Sequence, residues 1–162
     1  MTDLFVRERL IDTAVPAWLV LLGDWDTTWY LDIARHGYAH DSGQVGILDS
    51  NLAFFPLIPG IAAAFLAIGI NPFIGVLVVV HLAFLAALWG LHALTRRHLA
   101  SERLADRATW AFALLPPTVF ASMAYTADLV LACALGAALL AVRGRFALAG
   151  LPAAVAALSR PP

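Results

Sequence analysis

This sequence predicts an all-α, polytopic bundle of transmembrane helices, and three observations predict it. Of 162 residues, 62% are hydrophobic and 13% charged, about half the charge that a soluble domain carries. The mean hydropathy is +0.83. Long uncharged runs recur along the whole chain. Ten basic and eleven acidic residues cannot make a water-facing shell, which excludes a soluble enzyme, a nucleic-acid binder and a disordered tail. A net charge of −1 gives no long-range field for a polyanion. The length allows one membrane domain, residues 1–162.

The runs are unequal. The first, residues 13–23, is short, and Asp12 and Pro16 interrupt the span expected around residues 7–23. Residues 54–70, 72–94 and 108–125 give runs of 17, 23 and 18, and residues 129–142 and 146–158 add 14 and 13. A spanning helix takes about 20 residues, within roughly 17–25. Residues 72–94 therefore span unaided, and the shorter runs borrow flanking residues. Residues 54–70 carry Pro56, Pro59 and Gly60 near their start and end at Asn71-Pro72, a helix stop. Pro116-Pro117 should kink or break the run at 108–125. Cys133 is alone, so no intramolecular disulfide or thiolate metal site forms.

Orientation follows from arginine, which supplies every basic residue. Arg96, Arg97, Arg103 and Arg107 lie within residues 95–107, Arg143 and Arg145 in one short turn, and Arg7 and Arg9 beside the first run. Placing these eight inside leaves Arg35 and Arg160 outside, a positive-inside bias. Two crossings then separate the N-terminus from residues 95–107, so residues 54–70 are expected to lie in the outer interface. About five spans result, with an outer loop at 24–71 and later spans at 72–94, 108–122, 128–142 and 146–159. Tyr30, Tyr38 and Tyr125 all fall at the outer face, where aromatic belts form. The last run stops as it reaches that face, and the chain is expected to be the front part of a longer one.

The outer loop holds the chemistry. Residues 24–52 contain Asp24, Asp26, Asp32, Asp41 and Asp49 against Arg35, with His36 and His40 among them. Residues 24–38 read as a short amphipathic helix. Trp29, Ile33 and Gly37 share a stripe at i, i+4, i+8, Asp32 and His36 stand one turn apart, and Gly37 ends the helix.

The run Trp25-Asp26-x-x-Trp29-Tyr30-x-x-Ile33-Ala34-x-x-Gly37-Tyr38 resembles the first-loop signature of the PIG-V-like mannosyltransferases, the GPI mannosyltransferase II type of GT-C polytopic membrane glycosyltransferases. Three further stretches agree in order. They are Ala53-Phe54-Phe55-Pro56-Leu57-Ile58-Pro59, the segment from Pro117 to Tyr125-Thr126, and Ala156-Ala157-Leu158-Ser159-Arg160-Pro161. The resemblance covers residues 25–161. It departs at Ala127, where the family usually has a glutamate; Asp128 follows one position later.

The resemblance implies a membrane enzyme that moves a sugar, mannose in this family, from a polyprenyl-phosphate donor to an acceptor hydroxyl with inversion. The implied partners are the lipid-linked donor, a glycolipid, glycan or protein acceptor, and the membrane. The expected location is a bacterial plasma membrane with the active loop on the extracytoplasmic face. Family members continue through further spans beyond the Arg-Pro motif.

Inverting transfer needs a carboxylate to take the acceptor's proton, and a general base typically contributes 10²–10⁴-fold. Asp26 fits by position and by family match, although an aspartate ahead of Thr27-Thr28-Trp29 also suits a helix N-cap. Asp24 can act as cap, partner or metal ligand. Arg35 and Arg160 carry forked donors that suit a phosphate; alternatively, Arg35 pairs with Asp32 and Arg160 anchors at the interface. His36 and His40 can donate to phosphate or, with Asp41, hold a divalent metal, the less favoured use. No other cofactor is called for. Trp25, Tyr30 and Tyr38 can stack on a sugar or line the prenyl path, whereas Trp29 reads as an interfacial anchor. His81 and His92, eleven apart and on one helix face, read as helix–helix hydrogen-bonding groups. The rival class is a non-catalytic small membrane protein, a transporter subunit or an inactive remnant. A transporter would carry ionisable groups at mid-membrane, and here they gather in one outer loop.

Overall fold

A computed structural model describes residues 15–23, 26–38 and 51–159, and among these there is no strand. Contacts gather into two compact units, Met1–Leu77 and Val78–Pro162.

In the first unit, Pro16 starts a short helix α1, Ala17–Val20, which tightens into a 3-10 turn at Leu21–Gly23. The remainder of the expected first span lies outside the described residues. Helix α2 is Asp26–His36, and residues 24 and 25 of the expected helix lie outside the described residues. It ends where expected, because Gly37 takes φ +79° and its N–H meets the Ile33 carbonyl at 2.8 Å. That left-handed turn suits a residue without Cβ.

A 3-10 turn at Asn51–Ala53 leads to α3, Leu57–Ala67. Pro59 lies in its first turn, where a missing N–H leaves nothing unpaired. The helix closes at Gly69, φ +75°, with the Ile70 N–H on the Phe65 carbonyl at 3.0 Å. Eleven residues rise about 16 Å, too little to cross a core of roughly 30 Å unaided.

Asn71 both ends that connection and opens the next helix. Its Oδ1 accepts from the N–H groups of Phe73 at 2.9 Å and Ile74 at 3.4 Å, and Pro72 supplies the preset φ of a first helical residue. Helix α4, Pro72–Leu99, then runs 28 residues, about 42 Å. Arg96, Arg97 and His98 occupy its last turn, where positive charge meets the carbonyl end of the dipole.

In the second unit, α4 has two unlike faces. Val80, Ala83 and Ala87 are buried, whereas Val78, Leu82, Leu85 and Trp89 form an exposed stripe at i, i+4, i+7, i+11. Only 39% of its apolar window is buried inside the chain. A soluble core helix would hide such a surface; a bilayer would solvate it. Gly90 permits a close approach to α6, Ala127–Val142, since a Cβ there would stand 3.1 Å from that of Leu135.

Between them comes α5, Glu102–Ala113, capped by Ser101 Oγ accepting from the Leu104 N–H at 3.4 Å. The expected single span over 108–122 is not one helix. Helix α5 ends at Ala113, Pro116–Ser122 is 3-10, and the axis turns by 102° into α6. Pro116 and Pro117 lack N–H groups and their rings clash with the preceding turn. A tight turn with Gly144 at φ +73° leads to α7, Phe146–Ala157, which packs along α6.

Among the described residues, α4 is the one helix long and apolar enough to cross a bilayer by itself. A second qualifies if the 3-10 segment and α6 count as one broken span.

Candidate active site

The first two sequence motifs fold against each other. Helix α2 packs on α3, burying Thr27, Tyr30, Leu31 and Ile33 of α2 and Ile58 and Ala62 of α3. Phe54 is the joint. Its ring stacks on Trp29 with centroids 5.6 Å apart and meets Tyr30 edge-on at 5.5 Å. The Tyr38 hydroxyl donates to the Phe54 carbonyl at 2.8 Å, and Asn51 Nδ2 donates to the Gly37 carbonyl at 3.3 Å. Three contacts on one residue fix α2 against the segment that follows the loop, each aromatic pair contributing about 0.5–1.5 kcal/mol beyond its burial.

This clamp decides which polar groups stay available. Asp26 begins α2 and is exposed. His36 is exposed at the other end, with Nδ1 on Asp32 Oδ1 at 2.8 Å. Nine residues separate Asp26 from Arg35, about 13 Å along the axis and half a turn around it at 3.6 residues per turn. Helix α2 therefore does not bring Arg35 or His36 to Asp26.

Tyr30 is 6% exposed and its ring belongs to the core. Its burial and its edge contact with Phe54 cover the ring, which bears on its expected use as a sugar platform. Tyr38 keeps partial exposure, and burial pushes its phenol above the ordinary value, so the hydroxyl stays a neutral donor. With Leu52, Phe54, Phe55 and Pro56 it lines an apolar depression of about 320 Å³. Asp24, Trp25 and Arg160 lie outside the described residues, as do His40 and Asp41. Among the described residues no group of three or more His, Cys, Asp or Glu is placed to hold a metal ion.

In the second unit, His92 makes its bond across to α5, with Nε2 3.1 Å from Asp106 Oδ1 and 3.6 Å from Glu102 Oε1. The acidic partners sit ten and fourteen residues further along the chain, on the following helix. Asn51 as a brace was also missed, and no spacing signals it. Phe54 could have been found, since it lies in the second of the motifs that occur together.

Apolar helices, and an exposed Asp26 on a helix held by an aromatic clamp, suit an enzyme that works on a polar group near lipid. The sequence matches the family described as Mannosyltransferase (PIG-V) over residues 4–158, and the chain belongs to that family. It is a glycosyltransferase of mannosyltransferase type, associated with the membrane and acting between a sugar donor and an acceptor. No curated protein and no solved structure matches it.

Proposed function

We propose that the enzyme transfers mannose from a polyprenyl-phosphate donor to an acceptor hydroxyl with inversion, and that Asp26 is the general base. The observation that carries this reading is the placement of Asp26. The residue is exposed in the first turn of a helix that the Phe54 clamp holds against the following segment, which leaves its side chain open to an incoming alcohol. As that oxygen attacks the anomeric carbon, its proton passes to Asp26 and the prenyl phosphate leaves from the opposite side. Asp24 and Trp25, adjacent in sequence, complete the contacts around the sugar. Arg35 and Arg160 are the two candidates for the leaving phosphate, and Arg35 stands about half a turn around α2 from Asp26. His36 and Tyr38 are left to more distant parts of the substrates.

In this reading residues 1–162 form one membrane domain of about five spans, and the loop 24–71 faces the extracytoplasmic side of a bacterial plasma membrane. The arginine distribution and the lipid-type exposure along α4 support it. Asp26→Asn in the full-length gene tests the mechanism. Sugar transfer from a radiolabelled prenyl-phosphate mannose should be lost with membrane abundance unchanged; retained transfer would make Asp26 a helix cap.

A further inference from the structure

The second unit contains a pocket that the proposed chemistry at Asp26 does not use. Its apolar wall comes from α4, α5, the 3-10 segment and α6, chiefly Phe84, Phe112, Leu115, Phe120 and Leu131, and it encloses about 190 Å³. An apolar cavity of roughly 150 Å³ accommodates benzene, so this one takes a comparable group or a short length of alkyl chain. Leu115 and Phe120 are 51% and 53% exposed, which leaves the rim open to the surroundings.

One acidic group is set into that wall. Asp128, in the first turn of α6, lines the pocket and is 4% exposed. His81 of α4 interacts with it electrostatically. The other polar liner, Thr118, spends its proton on the Phe112 carbonyl at 2.8 Å. No basic side chain lines the pocket. A lining that holds a carboxyl group and no basic side chain disfavours a phosphate, whose oxygens are all acceptors. It favours a neutral group that donates a hydrogen bond while apolar atoms fill the remainder.

We infer that this pocket binds an alcohol carried on an apolar chain, with the chain between Phe84, Phe112 and Leu131 and the hydroxyl donating to Asp128. In the glycosyl-transfer reading, on which this meaning rests, such a ligand belongs to the acceptor side rather than the donor. Asp128 is a positioning residue here. It holds a hydroxyl and takes no proton from the reacting one.

The test uses the full chain in lipid nanodiscs with three photoactivatable probes that share one long alkyl diazirine chain: the primary alcohol, its methyl ether and its phosphate monoester. The alcohol should label residues 112–131 about tenfold more than the ether or the phosphate, the scale of one hydrogen bond to a charged group, and unlabelled alcohol should compete. Ala121→Trp, which fills the pocket and leaves residue 128 unchanged, should remove that labelling. Asp128→Leu should erase the preference for alcohol over ether, and Asp128→Asn, which keeps an acceptor oxygen, should retain most of it. Circular dichroism identifies a variant that fails to fold, and the wild-type probe series decides without it. Equal labelling by alcohol and ether overturns the proposal, as does preferred labelling by the phosphate or labelling confined to residues other than Phe84 and 112–131. Labelling needs no turnover, so its failure is separate from a failure of the Asp26 mechanism.

Discussion

The two units reach order by different means. Up to Leu77, specific contacts dominate: a stacked ring pair, an edge-on pair, a tyrosine on a carbonyl, an asparagine cap and a glycine closed against a ring. From Val78 onward, the buried residues are mostly small or aliphatic, such as Val80, Ala83, Ala87 and Leu139, and large side chains such as Trp89, Leu114, Phe146 and Leu151 face outward. In the proposed topology, the difference follows from the solvent each part meets. A helix surrounded by acyl chains gains little by hiding leucine, so small residues at close crossings set its packing. A polar helix at the interface has no such medium and must be held by directional contacts.

Several substitutions would break or sharpen this contrast. The largest effect belongs to Asp26→Asn, which should lower transfer by at least about 100-fold without changing thermal stability in detergent. A parallel loss of stability would move Asp26 from chemistry to capping. Next comes Phe54→Ala. Losing both ring partners and a partly buried side chain should cost about 2–4 kcal/mol, read as a lowered unfolding midpoint together with reduced transfer. If the first unit tolerates this change, the clamp is not what orders it.

Gly75→Ala tests packing on the same side of the boundary. A Cβ there would fall 2.2 Å from the Phe65 ring, so about 1–3 kcal/mol of destabilisation is expected. Phe65→Ala in the same chain should recover most of it, and a lack of coupling in the double mutant would contradict the contact. Asn71→Ala removes the α4 cap and should cost about 1 kcal/mol, measurable by chemical denaturation. The smallest effect is expected in the second unit. His92→Ala opens partly exposed pairs with Asp106 and Glu102 and should change stability by less than about 1 kcal/mol. A larger loss would show that polar contacts order that unit too.

Much of the fold was legible in the residues. The uncharged run at 72–94 gave α4, Gly37 marked the end of α2, and Pro116-Pro117 marked the break that separates α5 from the 3-10 segment. Local rules govern all three, because a missing N–H or a left-handed φ acts on its own neighbours. The start of α5 was less legible than the break that follows it. Hydropathy averages over a run, and it cannot register that α5 is charged in its first half and ends before the prolines.

Of the candidate site, the sequence by itself determined the membership of the family, the placement of Asp26 at the start of a helix and the gathering of acidic residues before residue 52. Only the tertiary structure decided that Tyr30 is core, that Phe54 joins two motifs about twenty-five residues apart, and that His92 finds its acidic partners on the following helix. It also placed Asp128 in the wall of an apolar pocket. Residue type and spacing fix what a side chain can do within a turn or two of its own helix. Which groups meet across a loop depends on how the intervening chain closes, and no local pattern encodes that.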